Sequence, residues 1–89
     1  MKVKVYNMES PNGNKVANQF EIYTSKGKYF QSYNSIIAFI DNNGKTFLDD
    51  YYWDYSRTTS KYRNIFLGNG INDVKEKIKS GEYKLKNLN

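Results

Sequence analysis

Side chains with binding chemistry are concentrated between Tyr51 and Gly68. This stretch holds the only Trp of the chain, four of its nine Tyr, both of its Arg and a run of Ser and Thr. Hydroxyls, cations and free backbone N–H groups at a helix start can bind a phosphate or a carboxylate. Ordinary helix capping with solvated cations is the alternative. The candidate partner- or anion-binding residues are Trp53, Tyr55, Ser56, Arg57, Thr58, Thr59, Lys61 and Arg63.

The charges of the chain are distributed unevenly. Residues 41–54 contain four acids and one base, whereas residues 57–86 contain eight bases and three acids. The asymmetry indicates either a polarised binding surface or two differently solvated faces. We expect a secondary basic patch formed by Lys75, Lys79, Lys84 and Lys86.

Tyrosines beside these cations could stack on single-stranded bases or anchor a protein interface. The alternative is that at least half of them belong to the core, because the chain is short of aliphatic residues. The candidates are Tyr23, Tyr29, Tyr33, Tyr51 and Tyr52.

The residue types of the chain give little support for an enzyme. The chain has no His and no Cys, which excludes thiolate or imidazole zinc sites and His-based general bases. On an extended strand Asp50 and Asp54 lie about 13 Å apart, too far to share one ion. A tyrosine nucleophile at Tyr55 would need far more protein around it. We expect a binding protein, not an enzyme, with no metal and no cofactor.

The stretch 51–68 predicts an aromatic strand, a capped turn and a short helix. Hydroxyl residues that can cap the helix are Ser56, Thr58 and Thr59. The residues expected to face inward are Tyr62, Ile65 and Phe66, and those expected to face outward are Lys61, Arg63 and Asn64. Gly68 predicts the end of the helix.

Alternation of polar and apolar residues upstream predicts a sheet of four to five antiparallel strands. These strands are Lys2–Tyr6, Gln19–Thr24, Lys28–Tyr33, Ser35–Asp41 and Lys45–Asp49. A mobile loop is expected at about residues 9–18, where Ser, Pro, Asn and Gly cluster.

The segment Ser35–Asp41 fits a buried strand or a short helix, and its length and β-branching favour the strand. As a strand it would place Ile36, Ala38 and Ile40 on one face, and Ile37 and Phe39 on the other.

A second short helix, Asp73–Lys79, is predicted with Asn72 as its cap, and Glu82–Leu88 reads as a last strand or an extended tail. With 89 residues, we expect one small α+β domain spanning residues 1–89, with two short C-terminal helices. No apolar run approaches the ~20 residues of a membrane span, so we expect a cytoplasmic protein with no membrane partner.

Three sequence blocks resemble a family of small uncharacterised proteins from phages, plasmids and conjugative elements of low-GC Gram-positive bacteria. They are Gln19-Phe20, the FQSYNSIIA motif at 30–38 and the WDYSRTTSKYRNxFL motif at 53–67, and the end of the chain fits as well. The resemblance covers about 70 of the 89 residues and implies an origin in a mobile element. Small non-enzymatic proteins of such elements often inhibit host defence, as anti-CRISPR and anti-restriction proteins do.

Two functions follow as expectations. The first is an inhibitor that binds a host defence protein, a CRISPR or restriction effector. The alternative is a nucleic-acid-binding accessory protein that uses Arg57, Lys61, Arg63 and the C-terminal lysines. Salt dependence separates the two, because DNA binding weakens with a logarithmic slope near −0.9 per phosphate contact.

Overall fold

The computed structural model describes residues 2–89, which form one six-stranded sheet and two helices. The elements, in chain order, are β1 Lys4–Glu9, β2 Lys15–Thr24, β3 Gly27–Ser32, β4 Ser35–Asp41, β5 Thr46–Asp49, α1 Arg57–Leu67, α2 Ile71–Ser80 and β6 Tyr83–Lys86. The strands lie side by side in sequence order. The α+β fold with two helices near the C-terminal end is therefore confirmed.

The sheet is an antiparallel meander from β1 to β5, with β6 added in parallel beside β5. A parallel neighbour needs a crossover connection, and α1 and α2 supply it. Both helices therefore cover the same face of the sheet. The segment predicted as a last strand or a tail contributes β6.

The segment Ser35–Asp41 is a strand, as its composition favoured, but the predicted alternation of its side chains is wrong. Phe30 pairs with Ala38 and Gln31 pairs with Ile36, so Ile37 is an extra residue in a β-bulge. The bulge turns Ile37 and Ala38 to the same side, where both are buried under the helices. Ile36 consequently lies on the opposite face.

The connection between β1 and β2 is shorter than the predicted loop at 9–18. Residues 10–14 form a tight turn, in which the N–H of Gly13 donates to the carbonyl of Ser10 at 2.8 Å. Residues 15–18 already belong to β2.

Helix α1 begins at the first of the three predicted caps and ends at Gly68, as predicted. Ser56 is the N-cap, and its hydroxyl accepts a hydrogen bond from the N–H of Thr59 at 3.2 Å. Gly68 ends the helix in the left-handed conformation, at φ 75°. For α2, the predicted cap is wrong: Gly70 holds the N-cap position, with no side-chain cap, and Asn72 lies inside the helix.

The core lies between the helices and the sheet. Phe30 of β3 stacks on Phe66 of α1, with ring centroids 5.8 Å apart. The buried apolar residues around this pair are Met8, Ile37, Ala38, Leu48, Tyr62, Val74 and Tyr83. Ile65, expected to face inward, is 46% exposed, since the helix turns it away from the sheet.

Among residues 2–89, neither helix is long and apolar enough to cross a membrane.

Gly27 should be irreplaceable at the start of β3. Its φ is 146°, and a Cβ there would lie 2.8 Å from the Cα of Asp41 and against the carbonyl of Ile40. Because that obstacle is backbone, we expect Gly27→Ala to lower the free energy of unfolding by about 2–4 kcal/mol. Urea unfolding followed by Trp53 fluorescence measures this.

Gly44→Ala is the matched control, because Gly44 also has a positive φ, 84°, but has open space around the Cβ position. It should lose only the cost of the left-handed conformation, about 1–2 kcal/mol. Equal losses in the two variants would contradict the close approach of the backbones at Gly27.

Candidate functional site

The residues predicted as an aromatic strand instead form a turn. Residues 50–55, here called the aromatic turn, connect β5 to α1. The N–H of Trp53 donates to the carbonyl of Asp49 at 3.1 Å, a helix-like bond that coils the chain. The correction also removes the extended geometry on which the spacing of Asp50 and Asp54 was predicted.

Asp49 holds the beginning of the aromatic turn. Its side chain is only 1% exposed, and its Oδ2 accepts hydrogen bonds from the N–H groups of Tyr51 at 3.1 Å and Tyr52 at 2.8 Å. The other oxygen, Oδ1, accepts from the N–H of Leu88 at 2.8 Å and from Nδ2 of Asn89 at 3.0 Å. One buried carboxylate therefore joins the turn to the last residues of the chain.

These four donors keep the Asp49 carboxylate ionised. Burial by itself would raise its pKa, but the N–H groups of Leu88 and Tyr52, with the amide of Asn89, outweigh that effect. The net result is a pKa below the ordinary aspartate value.

Arg63 holds the end of the aromatic turn, and the prediction that it faces outward is wrong. The residue is fully buried. Its Nη1 donates to the carbonyl of Trp53 at 2.6 Å and to Oδ1 of Asp54 at 3.2 Å. Nε and Nη2 both donate to Oδ1 of Asn64, at 3.2 and 2.8 Å. Arg63 is therefore a structural residue and is not available to a partner.

Asp54 is the carboxylate that faces Arg63. A hydrogen bond from the Ser60 hydroxyl at 2.7 Å, together with Arg63, lowers the pKa of Asp54 even though partial burial opposes the shift. The ion pair is thus maintained at neutral pH.

A groove of about 580 Å³ opens beside the aromatic turn on the helix side of the sheet. It lies between the turn from β3 to β4, the aromatic turn and the first residues of α1. Its lining residues are Ser32, Tyr33, Asn34, Ser35, Ile37, Tyr52, Tyr55, Ser56 and Thr58. None of them carries a charge. We call this the tyrosine groove.

Tyr33 is held in an unusual backbone conformation at the rim of the groove. Its φ is 54°, in the left-handed region that Gly or Asn usually occupies in a two-residue hairpin turn. Its N–H donates to the carbonyl of Asn18 at 2.7 Å, and its carbonyl accepts from Nε2 of Gln31 at 2.7 Å. The side chain is 53% exposed. Strain of this kind at an exposed aromatic residue is typical of a functional position.

The structure brings together some of the predicted site residues. Tyr55, Ser56 and Thr58 line the tyrosine groove. Thr59 lies buried below it, with its hydroxyl 2.9 Å from that of Ser32. Two cations of α1, Arg57 and Lys61, are exposed.

Trp53, another predicted site residue, is half-buried and does not line the groove. Its ring lies 5.4 Å from the Arg63 guanidinium. Trp53 is therefore a residue of the aromatic turn that packs against the core.

The predicted secondary basic patch is divided between two sides of the molecule. Lys75 and Lys79 are exposed on α2, in the helix layer. Lys84 and Lys86 point to the opposite face of the sheet, where the ammonium of Lys86 lies 5.2 Å from the Phe47 ring. The four lysines therefore do not form one surface.

The contribution of the turn from β3 to β4 was missed by sequence reasoning. Only Tyr33 of this turn was a candidate, as one of five tyrosines for stacking. The signal that could have revealed it is Tyr33 itself, which occupies a position in the two-residue turn where positive φ is needed and Gly or Asn is usual. Within residues 2–89, no three acidic side chains lie close enough together to hold a metal ion.

Comparison with known protein families identifies the family of the chain. It belongs to the Family of unknown function (DUF8033). The family model matches residues 1–84, a range that includes every residue lining the tyrosine groove. No curated protein and no solved structure matches the chain.

Replacing the buried carboxylate should loosen the aromatic turn. In Asp49→Asn the amide cannot accept all four N–H groups, so we expect a loss of about 2–4 kcal/mol in unfolding free energy at pH 7. Urea unfolding of the variant and of Asp50→Asn tests this. Asp50 is exposed, so its variant should stay within about 0.5 kcal/mol of wild type.

The effect of Asp49 on stability should also depend on pH. Because its pKa is lowered in the folded protein, its stabilisation is fully present above the unfolded pKa of about 3.9 and is lost as pH falls through the folded pKa. The stability difference between wild type and Asp49→Asn should therefore shrink below about pH 4. A difference that is constant with pH would contradict the role of the charge.

Proposed function

We propose that this chain is a non-enzymatic protein that binds another protein through the tyrosine groove. The observation that supports the proposal is the composition of the lining: three Tyr, three Ser, one Thr, one Asn and one Ile. Tyr, Ser and Asn are the residues that antibody paratopes use, because Tyr supplies contact area at low entropic cost and the small polar residues supply hydrogen bonds.

The supporting structure fits this use. Tyr52 packs edge-on against both Tyr51 and Tyr55, with centroids 4.7 and 5.3 Å apart. Asp49 and Arg63 fix the two ends of the aromatic turn that carries these rings. A surface that is already ordered loses little conformational entropy on binding, which favours affinity.

A protein suits the groove better than a nucleic acid. Nucleic-acid binding depends mainly on cations that contact phosphates. Here the groove lining is uncharged, Arg63 is buried, and the C-terminal lysines lie on two sides of the molecule. The exposed cations of α1, Arg57 and Lys61, are available to contact acidic residues of a protein partner.

The partner we propose is a host defence effector of the CRISPR or restriction type, bound in the cytoplasm of a bacterial host. The support is the resemblance of the FQSYNSIIA and WDYSRTTSKYRNxFL motifs to proteins of mobile elements. These two motifs supply eight of the nine lining residues, all except Tyr52, so most of the proposed binding surface lies in the segments that carry the resemblance.

The experiment is plasmid transformation of a low-GC Gram-positive host that has active CRISPR and restriction systems. Expression of the wild-type chain should raise the transformation efficiency of a targeted plasmid. Tyr33→Ala combined with Tyr55→Ala should abolish the gain, because loss of two exposed aromatic anchors that the partner would bury weakens binding by about 100-fold or more. The matched control is Tyr6→Ala with Tyr23→Ala, an exposed tyrosine pair outside the groove, which should keep the gain.

Two outcomes would contradict the proposal. Wild type that does not change transformation would exclude the defence effector as partner. Alternatively, Arg57→Ala with Lys61→Ala could abolish activity while the tyrosine variant retains it. Combined with steeply salt-dependent binding of bare DNA, that result would establish nucleic-acid binding instead.

A further inference from the structure

The sheet has a second face, which no helix covers. One row of residues crosses it in register from β1 to β5: Val5, Ile22, Tyr29, Phe39 and Phe47. A second row beside it includes Phe20, Gln31 and Ile36. We call these two rows the open face. The residues named in these two rows carry no charge. The one acid of β5 on this side, Asp49, is 1% exposed and is bonded to Leu88 and Asn89.

The rings of the open face are stacked on one another. Tyr29 and Phe39 have centroids 4.3 Å apart at an interplanar angle of 21°, and Phe39 and Phe47 are 6.1 Å apart at 18°. Lys86 occupies the remaining side of Phe47. Bases bind aromatic residues by stacking on a free ring face. Phe39 is stacked between Tyr29 and Phe47, and Phe47 lies between Phe39 and Lys86. The open face therefore offers few free ring faces to a base and is poorly suited to nucleic acid.

The open face is too apolar for a surface that stays in water. Val5 is 57% exposed, and Val3, two residues before it on the same side, is 55% exposed. The six larger apolar side chains of the two rows are each partly exposed. Isolated apolar residues are common on protein surfaces, whereas contiguous apolar patches of several hundred Å² mark interaction sites.

We infer that the open face binds the same face of a second copy of this chain, to form a two-sheet sandwich. Six strands spaced ~4.8 Å apart, with about six residues each at ~3.4 Å, present roughly 500 Å² per copy. The dimer would bury roughly 1,000 Å² in total, at the lower limit of a specific interface, so we expect a weak dimer.

The positions of the lysines on this face favour one symmetry for the dimer. The cations of this face, Lys84 and Lys86, lie at the β6 edge. A two-fold axis parallel to the strands, between β3 and β4, places β6 of one copy opposite β1 of the other. The lysine edges are then at opposite ends of the interface, and their alkyl chains can cover Val3 and Val5.

The inference does not rest on the proposed function. The tyrosine groove opens on the helix side of the sheet, so both grooves of the dimer remain free. A dimer would therefore present two equivalent grooves to partners.

Sedimentation equilibrium from about 1 to about 100 µM tests the inference. Wild type should shift from the 10.5 kDa monomer to twice that mass. Ile22→Lys, which puts a charge in the row, should weaken dimerisation at least tenfold. Ile65→Lys, the same change at an exposed apolar residue on the helix side, should leave it unchanged. Wild type that stays monomeric throughout would overturn the inference.

Cysteine cross-linking gives a second readout that does not require a disruptive change. The chain has no Cys, so a single introduced thiol is unique. With a short bismaleimide, Ile36→Cys near the proposed axis should give covalent dimers, and Ile65→Cys should not. If instead Ile36→Cys fails and a thiol on the outer edge of β1 cross-links, the copies pair edge to edge and the face-to-face arrangement is wrong. Binding of single-stranded DNA to the open face would also overturn the inference.

Discussion

Two buried charges fix the aromatic turn, and the rest of the candidate site depends on them. Burying an ion costs several kcal/mol unless its hydrogen-bonding capacity is filled. Asp49 accepts four N–H groups. Arg63 donates to four acceptor groups, two on the aromatic turn and two on α1. Because both charges take part of their hydrogen bonds from the turn between them, any other geometry of the turn would leave a buried ion short of partners. That geometry places Tyr52 and Tyr55 against the turn from β3 to β4 and so creates the tyrosine groove.

Local chemistry made much of the fold predictable. The Ser56 cap and the Gly68 stop of α1 depend on groups within the helix itself, and the β-branched composition of Ser35–Asp41 favoured the strand that is observed. Tyr55, Ser56 and Thr58 were candidates because hydroxyls, cations and free backbone N–H groups were expected together at the helix start, and these three residues do line the groove.

The features that sequence reasoning missed depend on partners far along the chain. The aromatic turn coils around Asp49, and Asp49 is itself held in place by Leu88 and Asn89, 39 and 40 residues away. Arg63 follows the same rule: its cationic type predicted exposure, but the carbonyl of Trp53 and the carboxylate of Asp54 give it a buried position. The bulge at Ile37 depends on how β4 pairs with β3, which side-chain alternation alone does not reveal.

Amide hydrogen exchange of the aromatic turn tests the central claim most directly. If Asp49 and Arg63 hold the turn in one geometry, the N–H groups of Tyr51, Tyr52 and Trp53 open only with the surrounding core. Their exchange, measured by NMR, should then be as slow as that of β5. Exchange as fast as that of residues 11–13 in the exposed turn between β1 and β2 would show that the aromatic turn opens by itself, and it would contradict a preformed groove.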